Sequence, residues 1–174
     1  MPPRQADPDF RVELMTDHHQ RGEFRCGVEA LDRYLQNFAG QDSRKNASRT
    51  YIATVNGRDI LGFYTLSAFS IELVDFPSTM SKQLPRYDNV PAVLLGRLAV
   101  RQECAGTGMG RTLLVHALRT SLGVAGMIGV AGVVVDAKDE MARQFYEKFN
   151  FLSLQGAPNS LFLPMRSIRA FEID

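Results

Sequence analysis

The 174-residue sequence has no tryptophan, only two cysteines and only three histidines, and each shortage excludes something. Cys26 and Cys104 stand far apart, so there is no disulfide framework, and two thiols cannot complete a zinc site unaided. His18, His19 and His116 have no metal-ligand partner at useful spacing, so no metal is expected. No apolar run reaches the roughly 18 residues of a membrane span; the longest candidate, Val124–Val135, is broken by glycines. The opening MPPRQADPDF lacks the apolar stretch of a secretory signal. A soluble, cytoplasmic protein with free thiols and no membrane partner is expected. An excess of one charge is also missing. Twenty Lys+Arg against nineteen Asp+Glu leave a net charge of +1, so any polyanionic partner must be met by a local patch.

What is present is ordinary globular usage, 45% hydrophobic and 22% charged, in a length that suits one domain. Residues 1–9 read as a flexible polar arm and residues 10–174 as a single domain. Phe10–Met15 alternates apolar and polar residues, the period of a half-buried strand. Val28, Leu31, Leu35, Phe38 and Ala39 predict one amphipathic helix ending near Gly40. Tyr51–Val55 and Ile60–Ile71 are β-rich runs joined through Asn56-Gly57, a strong hairpin signal. A short helix or turn is expected between Pro77 and Pro85. Ala92–Val100 reads as a buried strand with a bulge at Gly96, and Gly132–Val135 as a buried parallel strand ending at Asp136. Helices are predicted from about Gly110 to Leu122 and over Ala137–Phe149, where Met141, Phe145 and Phe149 share helical spacing. Phe151–Leu154 and Ser160–Met165 close the chain as strands. The pattern is mixed α/β, without repeats or a linker.

The segment Cys104–Thr112 (CAGTGMGRT) carries the most information. It follows a buried strand and opens a helix, where glycines admit positive φ and let amides approach a ligand closely. Unpaired donors and the dipole of a helix N-terminus favour phosphate there. A tight turn with no ligand is the plain alternative. The dinucleotide pattern G-x-G-x-x-G fails, because Arg111 stands at the third glycine. The P-loop pattern fits at Gly110 and Thr112, yet Ala105 replaces its first glycine and Arg111 its lysine.

A third pattern, [RQ]-x-x-G-x-[GA], is the pyrophosphate turn of the GNAT family of N-acetyltransferases. Gly108 and Gly110 match it, Leu-Gly-Arg-Leu-Ala-Val before it looks like the family's central strand, and only Ala105 departs from Arg or Gln. Phe145-Tyr146-Glu147-Lys148-Phe149-Asn150-Phe151 resembles the family's F/L-Y-E-K-x-G-F signature. Asn150 takes the glycine's place, and Asn also tolerates the left-handed conformation. Asp139 and Ala142 stand where the family often has N-x-x-A.

The resemblance implies a GNAT fold: a mixed central sheet, flanked by helices, whose parallel central strands splay at a bulge. It implies acetyl-CoA in that gap, with pantetheine pairing along Leu98, Ala99 and Val100. The diphosphate would be held by Ala105, Gly106, Thr107, Gly108, Met109, Gly110, Arg111 and Thr112, Arg111 supplying part of the charge missing at Ala105. Asp139 would take the second pantetheine contact. An N–H near Val100 would polarise the thioester carbonyl, and Tyr146 would give a proton to the departing thiolate. Read alone, Tyr146 is an aromatic of a helix's core face, like Phe145 and Phe149; the glycine turn beside it in the pattern is what turns the reading to catalysis. No general base is evident: His18 and His19 read as solvated, and His116 as packing or capping. A lysine of pKa about 10.4 is scarcely neutral near pH 7, whereas an α-amine at about 7.7–8.0 is substantially so. A site without a strong base therefore suits an α-amine.

One subgroup is matched further. Phe24–Leu35 (FRCGVEALDRYL) is similar to its F-x-C-G-x-x-x-L-D-x-[FY]-L opening, and Gly62–Ser67, Leu84–Tyr87, Leu95–Val100, Val135–Lys138 and Leu161–Met165 look like its other blocks. These are the acetyltransferase toxins of type II toxin–antitoxin modules. The resemblance implies acetylation of the α-amine of aminoacyl-tRNA, blocked translation, a ribbon-helix-helix antitoxin and a homodimer. Arg44, Lys45 and Arg49 cluster within a short stretch, and Arg86 and Arg97 flank the expected acceptor side, which a tRNA phosphate backbone would use; a solvated helix end explains the cluster equally. Acetylation of a small-molecule or peptide amine, or acetyl-CoA or RNA binding without catalysis, are the rival readings.

Overall fold

The computed structural model describes residues 10–171; the expected arm at residues 1–9 lies outside them. The strands are β1 (Arg11–Leu14), β2 (Arg49–Thr54), β3 (Gly62–Glu72), β4 (Asn89–Val100), β5 (Gly132–Asp136), β6 (Leu152–Leu154) and β7 (Ala157–Pro164). The helices are α1 (Glu29–Asn37), α2 (Ala39–Arg44), α3 (Ser78–Ser81), α4 (Met109–Ala125), α5 (Glu140–Glu147) and α6 (Met165–Phe171). The strands form one seven-stranded sheet in the order β1-β2-β3-β4-β5-β7-β6. β4 and β5 pair in parallel, Val93–Leu95 against Val133–Val135. β5 with β7, and β6 with β7, are antiparallel. The expected mixed sheet flanked by helices is observed, and β4 continues to Val100, beyond its parallel ladder.

The chain divides into two compact units. One takes the chain up to Thr65 together with Arg97–His116; the other takes Leu66–Gly96 and the chain from Ala117 onward. In the first, β1 pairs antiparallel with β2, Arg11 facing Thr54 and Leu14 facing Tyr51. The hairpin signal holds: the Asn56 side-chain oxygen accepts from the amides of Arg58 (2.9 Å) and Asp59 (2.8 Å), and Gly57 sits at φ +77°. Phe24, Tyr34, Leu35, Ile52, Phe63 and Ala99 make this unit's core, with Phe24 and Phe63 edge to face at 5.4 Å.

The single helix expected from Val28 to Gly40 is two helices. The chain breaks at Phe38, which leaves helical geometry at φ −121°. The Tyr34 hydroxyl donates to Asp42 Oδ2 at 2.8 Å and lies 3.0 Å from Ser48 Oγ. A straight helix would place residues 34 and 42 about 12 Å apart, so this tether requires α2 to turn back on α1. A second correction concerns His19. Expected in solvent, it is 4% exposed: Nδ1 accepts from the Thr16 amide at 2.9 Å and Nε2 meets Glu13 Oε1 at 2.8 Å.

In the second unit Ile71, Phe76, Val90, Val134, Leu154 and Phe162 pack together, Phe76 and Phe162 edge to face at 4.9 Å. Helix α6, which follows β7 directly, is absent from the sequence-based pattern; it buries Met165 and Ile168. Met141, which shares helical spacing with Phe145 and Phe149, is 82% exposed on α5.

Candidate functional site

The glycine turn lies in the first unit. β4 ends at Val100, a single turn of 3-10 helix covers Gln102–Cys104, and α4 starts at Met109 and runs for 17 residues. Gly106 and Gly108 adopt φ +75° and +89°, and a Cβ built on either meets nothing within 4 Å. Packing therefore does not demand glycine at these two positions. Backbone conformation does, and the space above the turn is open. The first amides of a helix have no intrahelical acceptor, and α4 presents them beside this space. Thr107 Oγ1 donates to the Cys104 carbonyl, and Thr112 Oγ1 to the Gly108 carbonyl at 3.2 Å, so the two hydroxyls brace the turn. A diphosphate fits what is here: an open, exposed run of backbone on a long helix.

The side chains in the predicted set divide sharply. Ala105, Thr107, Arg111 and Thr112 are exposed. Met109 is buried, and its sulfur packs where a Cβ on Gly62 would lie, at 3.6 Å, so it anchors the turn and offers a ligand only its backbone. Ala99 belongs to the core, and Leu98 and Val100 are half-buried; these three likewise offer backbone. Beside the turn, Arg101 Nε is buried without a hydrogen-bond partner, an uncommon state for a guanidinium donor. Sequence reasoning passed over this residue. Burial pushes the Cys104 thiol up from its ordinary value, so it stays protonated at neutral pH and is a poor nucleophile.

Tyr146 lies in the second unit, on α5. It is 8% exposed, with Phe145 and Phe151 rings at 5.2 and 5.5 Å. Desolvation alone pushes its phenol up to about 12, and among the described residues its hydroxyl has no hydrogen-bond partner. The group is neutral throughout the physiological range and keeps its proton available. Behind it the chain leaves the helix through Asn150 at φ +68°, the left-handed residue expected in the glycine's place. Asp139 caps α5, its Oδ1 accepting from the Ala142 amide at 2.8 Å; this capping accounts for an Asp at that position.

The cations are dispersed. Arg86 belongs to the second unit and is exposed. Arg97 lies flat on the Tyr34 ring, its Cζ 3.4 Å from the centroid, a cation–π contact. Arg49 donates to the Ser43 carbonyl (2.8 Å) and to Asn46 Oδ1 (2.7 Å), closing the C-terminus of α2. Arg44 and Lys45 are exposed. His116 Nδ1 is 2.8 Å from the Tyr64 hydroxyl, and Tyr51 stacks on Tyr64 at 4.9 Å, so His116 packs, as the sequence suggested. Among the described residues no cluster of three or more His, Cys, Asp or Glu could hold a metal ion, and no helix is long and apolar enough to cross a membrane.

Residues 46–152 match the acetyltransferase (GNAT) domain family. The chain belongs to the GNAT acetyltransferase family. It is 35% identical over 156 residues to a tRNA-acetylating toxin of Mycobacterium tuberculosis, covering 90% of this chain and 92% of that one. Among solved structures it is similar to AtaT complexed with acetyl-methionyl-tRNAfMet (35% identity, TM-score 0.87, covering 94% of this chain and 99% of that one). It is also similar to a Tyr-to-Phe mutant of the AtaT toxin bound to acetyl-CoA and the C-terminus of the antitoxin AtaR (32% identity, TM-score 0.82, covering 95% and 99%). The GNAT turn and tyrosine signature thus both fall within the matched segment.

Proposed function

We propose that this GNAT acetyltransferase moves an acetyl group from acetyl-CoA to the α-amine of an aminoacyl-tRNA, and that it acts as a translation-blocking toxin. The observation that carries the reading is the likeness, over nine-tenths of the chain, to a toxin that acetylates tRNA. The site's chemistry agrees with it. Acetyl-CoA supplies an acyl group activated as a thioester, and the residues of this chain do the rest. The backbone from Ala105 to Thr112 holds the diphosphate, with Arg111 adding charge. Leu98, Ala99 and Val100 present backbone to the pantetheine, and the Val100 amide donates to the carbonyl oxygen as charge grows there. Tyr146, protonated at every relevant pH, gives its proton to the departing sulfur. Asp139 fixes the start of the helix that carries Tyr146. No strong base is in evidence, and an α-amine needs the least help to lose a proton.

The same reading makes residues 10–174 one catalytic domain, supported by a family match that runs through parts of both compact units. It places the protein in the cytoplasm, where charged tRNA is found, as a homodimer neutralised by a ribbon-helix-helix antitoxin. The deciding experiment incubates the protein with labelled acetyl-CoA and total charged tRNA and identifies which aminoacyl ester gains the label. Label on free amino acids or peptides, with none on tRNA, would overturn the acceptor.

A further inference from the structure

We propose that Arg21 and Arg44 form a clamp over Gly40 that grips one backbone phosphate of the RNA acceptor, which rests on the reading that the acceptor is a charged tRNA. A Cβ built on Gly40 would lie 2.5 Å from Arg21 Nη1 and 3.3 Å from Arg44 Nη1. The two nitrogens are therefore at most 5.8 Å apart, the sum of those distances. Arg21 comes from the 3-10 turn Arg21–Glu23 and Arg44 from the end of α2. Among the described residues neither guanidinium has an ion pair or a hydrogen bond, whereas neighbouring arginines are engaged. Arg25 donates to the Gly22 and Phe24 carbonyls (3.0 and 2.8 Å), and Arg49 to Ser43 and Asn46.

Two positive charges this close, neither of them in an ion pair among the described residues, repel, and an anion relieves the repulsion. A single phosphate accepting an N–H bond of about 2.8 Å on each of two oxygens bridges such a separation. Gly40 fits the same picture. Glycine is a poor helix former, and α2 keeps one where a Cβ would push a guanidinium aside. Exposed Lys45, the next residue after Arg44, adds charge on the same short segment, which suits a polyanion with repeated phosphates better than a lone carboxylate.

The test titrates the full chain with bulk deacylated tRNA at several salt concentrations, using wild type, Arg21→Ala, Arg44→Ala and the double variant. Each single change should weaken binding about fivefold to tenfold. The double variant should lose far less than the product of the two, because both side chains hold one phosphate. The salt slope should fall by about 0.7–0.9, one phosphate's worth. Multiplicative losses with twice that fall in slope would mean two independent cations and overturn the clamp. Unchanged affinity would make both side chains merely solvated and would overturn it as well.

Gly40→Ala guards against misfolding. It should raise or preserve the melting temperature yet weaken tRNA binding, and full-strength binding would count against the clamp. If the variants lose acetyl-CoA affinity while tRNA binding is untouched, the phosphate is the coenzyme's and the RNA assignment is wrong. A wild-type protein that ignores tRNA sinks both this inference and the proposed acceptor. Wild-type binding matched by the variants sinks the clamp alone.

Discussion

In the first unit the Tyr34 ring lies under Arg97, and its hydroxyl is shared between Asp42 and Ser48. In the second, Tyr146 is buried among phenylalanines, and among the described residues its hydroxyl has no partner. Burial raises the pKa of both phenols. At Tyr34 that burial is accompanied by hydrogen bonds that fold α2 onto α1, so the polar tip is spent on structure. At Tyr146 desolvation is the whole cause, and the tip is left for whatever enters. The Tyr146 ring is buried beside Phe145 and Phe151 while its hydroxyl is committed to no hydrogen bond among the described residues, the state the proposed role of proton donor requires.

The pair of Tyr→Phe changes is the strongest way to break that contrast. Tyr146→Phe should cut turnover by about 10²–10⁴, the range of a positioned general acid. It should leave acetyl-CoA affinity and melting temperature nearly unchanged, since no hydrogen bond is lost. Tyr34→Phe should do the reverse. It strands Asp42 and Ser48 and should cost about 1–2 kcal/mol, or roughly 2–8 °C in melting temperature, with turnover per folded molecule preserved. Single-turnover kinetics and thermal melts on both variants would separate the roles. Equal loss of turnover in both would remove the distinction.

A smaller effect is expected where side chains matter least. Gly108 needs its φ of +89° rather than its lack of bulk, because the space above it is open. Gly108→Ala should therefore strain the turn by about 1–2 kcal/mol, and weaken acetyl-CoA binding roughly tenfold. At saturating acetyl-CoA, turnover should recover. A Gly108→Ala enzyme whose turnover stays low at saturation would place the glycine in the chemical step and blur the division between a backbone cradle and a side-chain acid.

The same division explains what the sequence made legible. Local patterns were readable: the three glycines at the start of α4, Gly106 and Gly108 before it and Gly110 in its first turn, the Asn56-Gly57 bend, the apolar run of β5, and Asn150 as a left-handed helix stop. Each depends on residues within one turn of chain. The features that escaped depend on distant partners. The break at Phe38 follows from Tyr34 reaching Asp42 and Ser48, and His19 is buried because Glu13 and the Thr16 amide receive it. Arg49 reads in the sequence only as part of a cationic cluster, and its acceptors on Ser43 and Asn46 appear only in the fold; Arg21 lies too far from Arg44 in sequence for spacing to join them. Helix α6 has no capping residue or long periodic face to announce it. At the site, the turn and the tyrosine were recognisable as words of a family. The unpartnered Arg101 Nε was not readable, because burial is invisible in a string of letters.

The smallest expected effect concerns alkaline pH. The folded-state pKa of Tyr146 is pushed up to about 12, from an ordinary value of 10.0. A group whose folded pKa is raised holds its proton more tightly in the folded chain. Its contribution is complete below about pH 10 and is lost as pH rises toward 12. At pH 11 the loss amounts to about 1.4 kcal/mol, one pH unit above the unfolded value. Urea unfolding of wild type and Tyr146→Phe at pH 8 and pH 11 should show wild type losing about that much more than the variant. The sign also bears on catalysis. An acid that stays protonated to pH 12 gives turnover no falling limb near pH 10, so a descending limb there that vanishes in Tyr146→Phe would mean a phenol far better solvated than its phenylalanine neighbours allow.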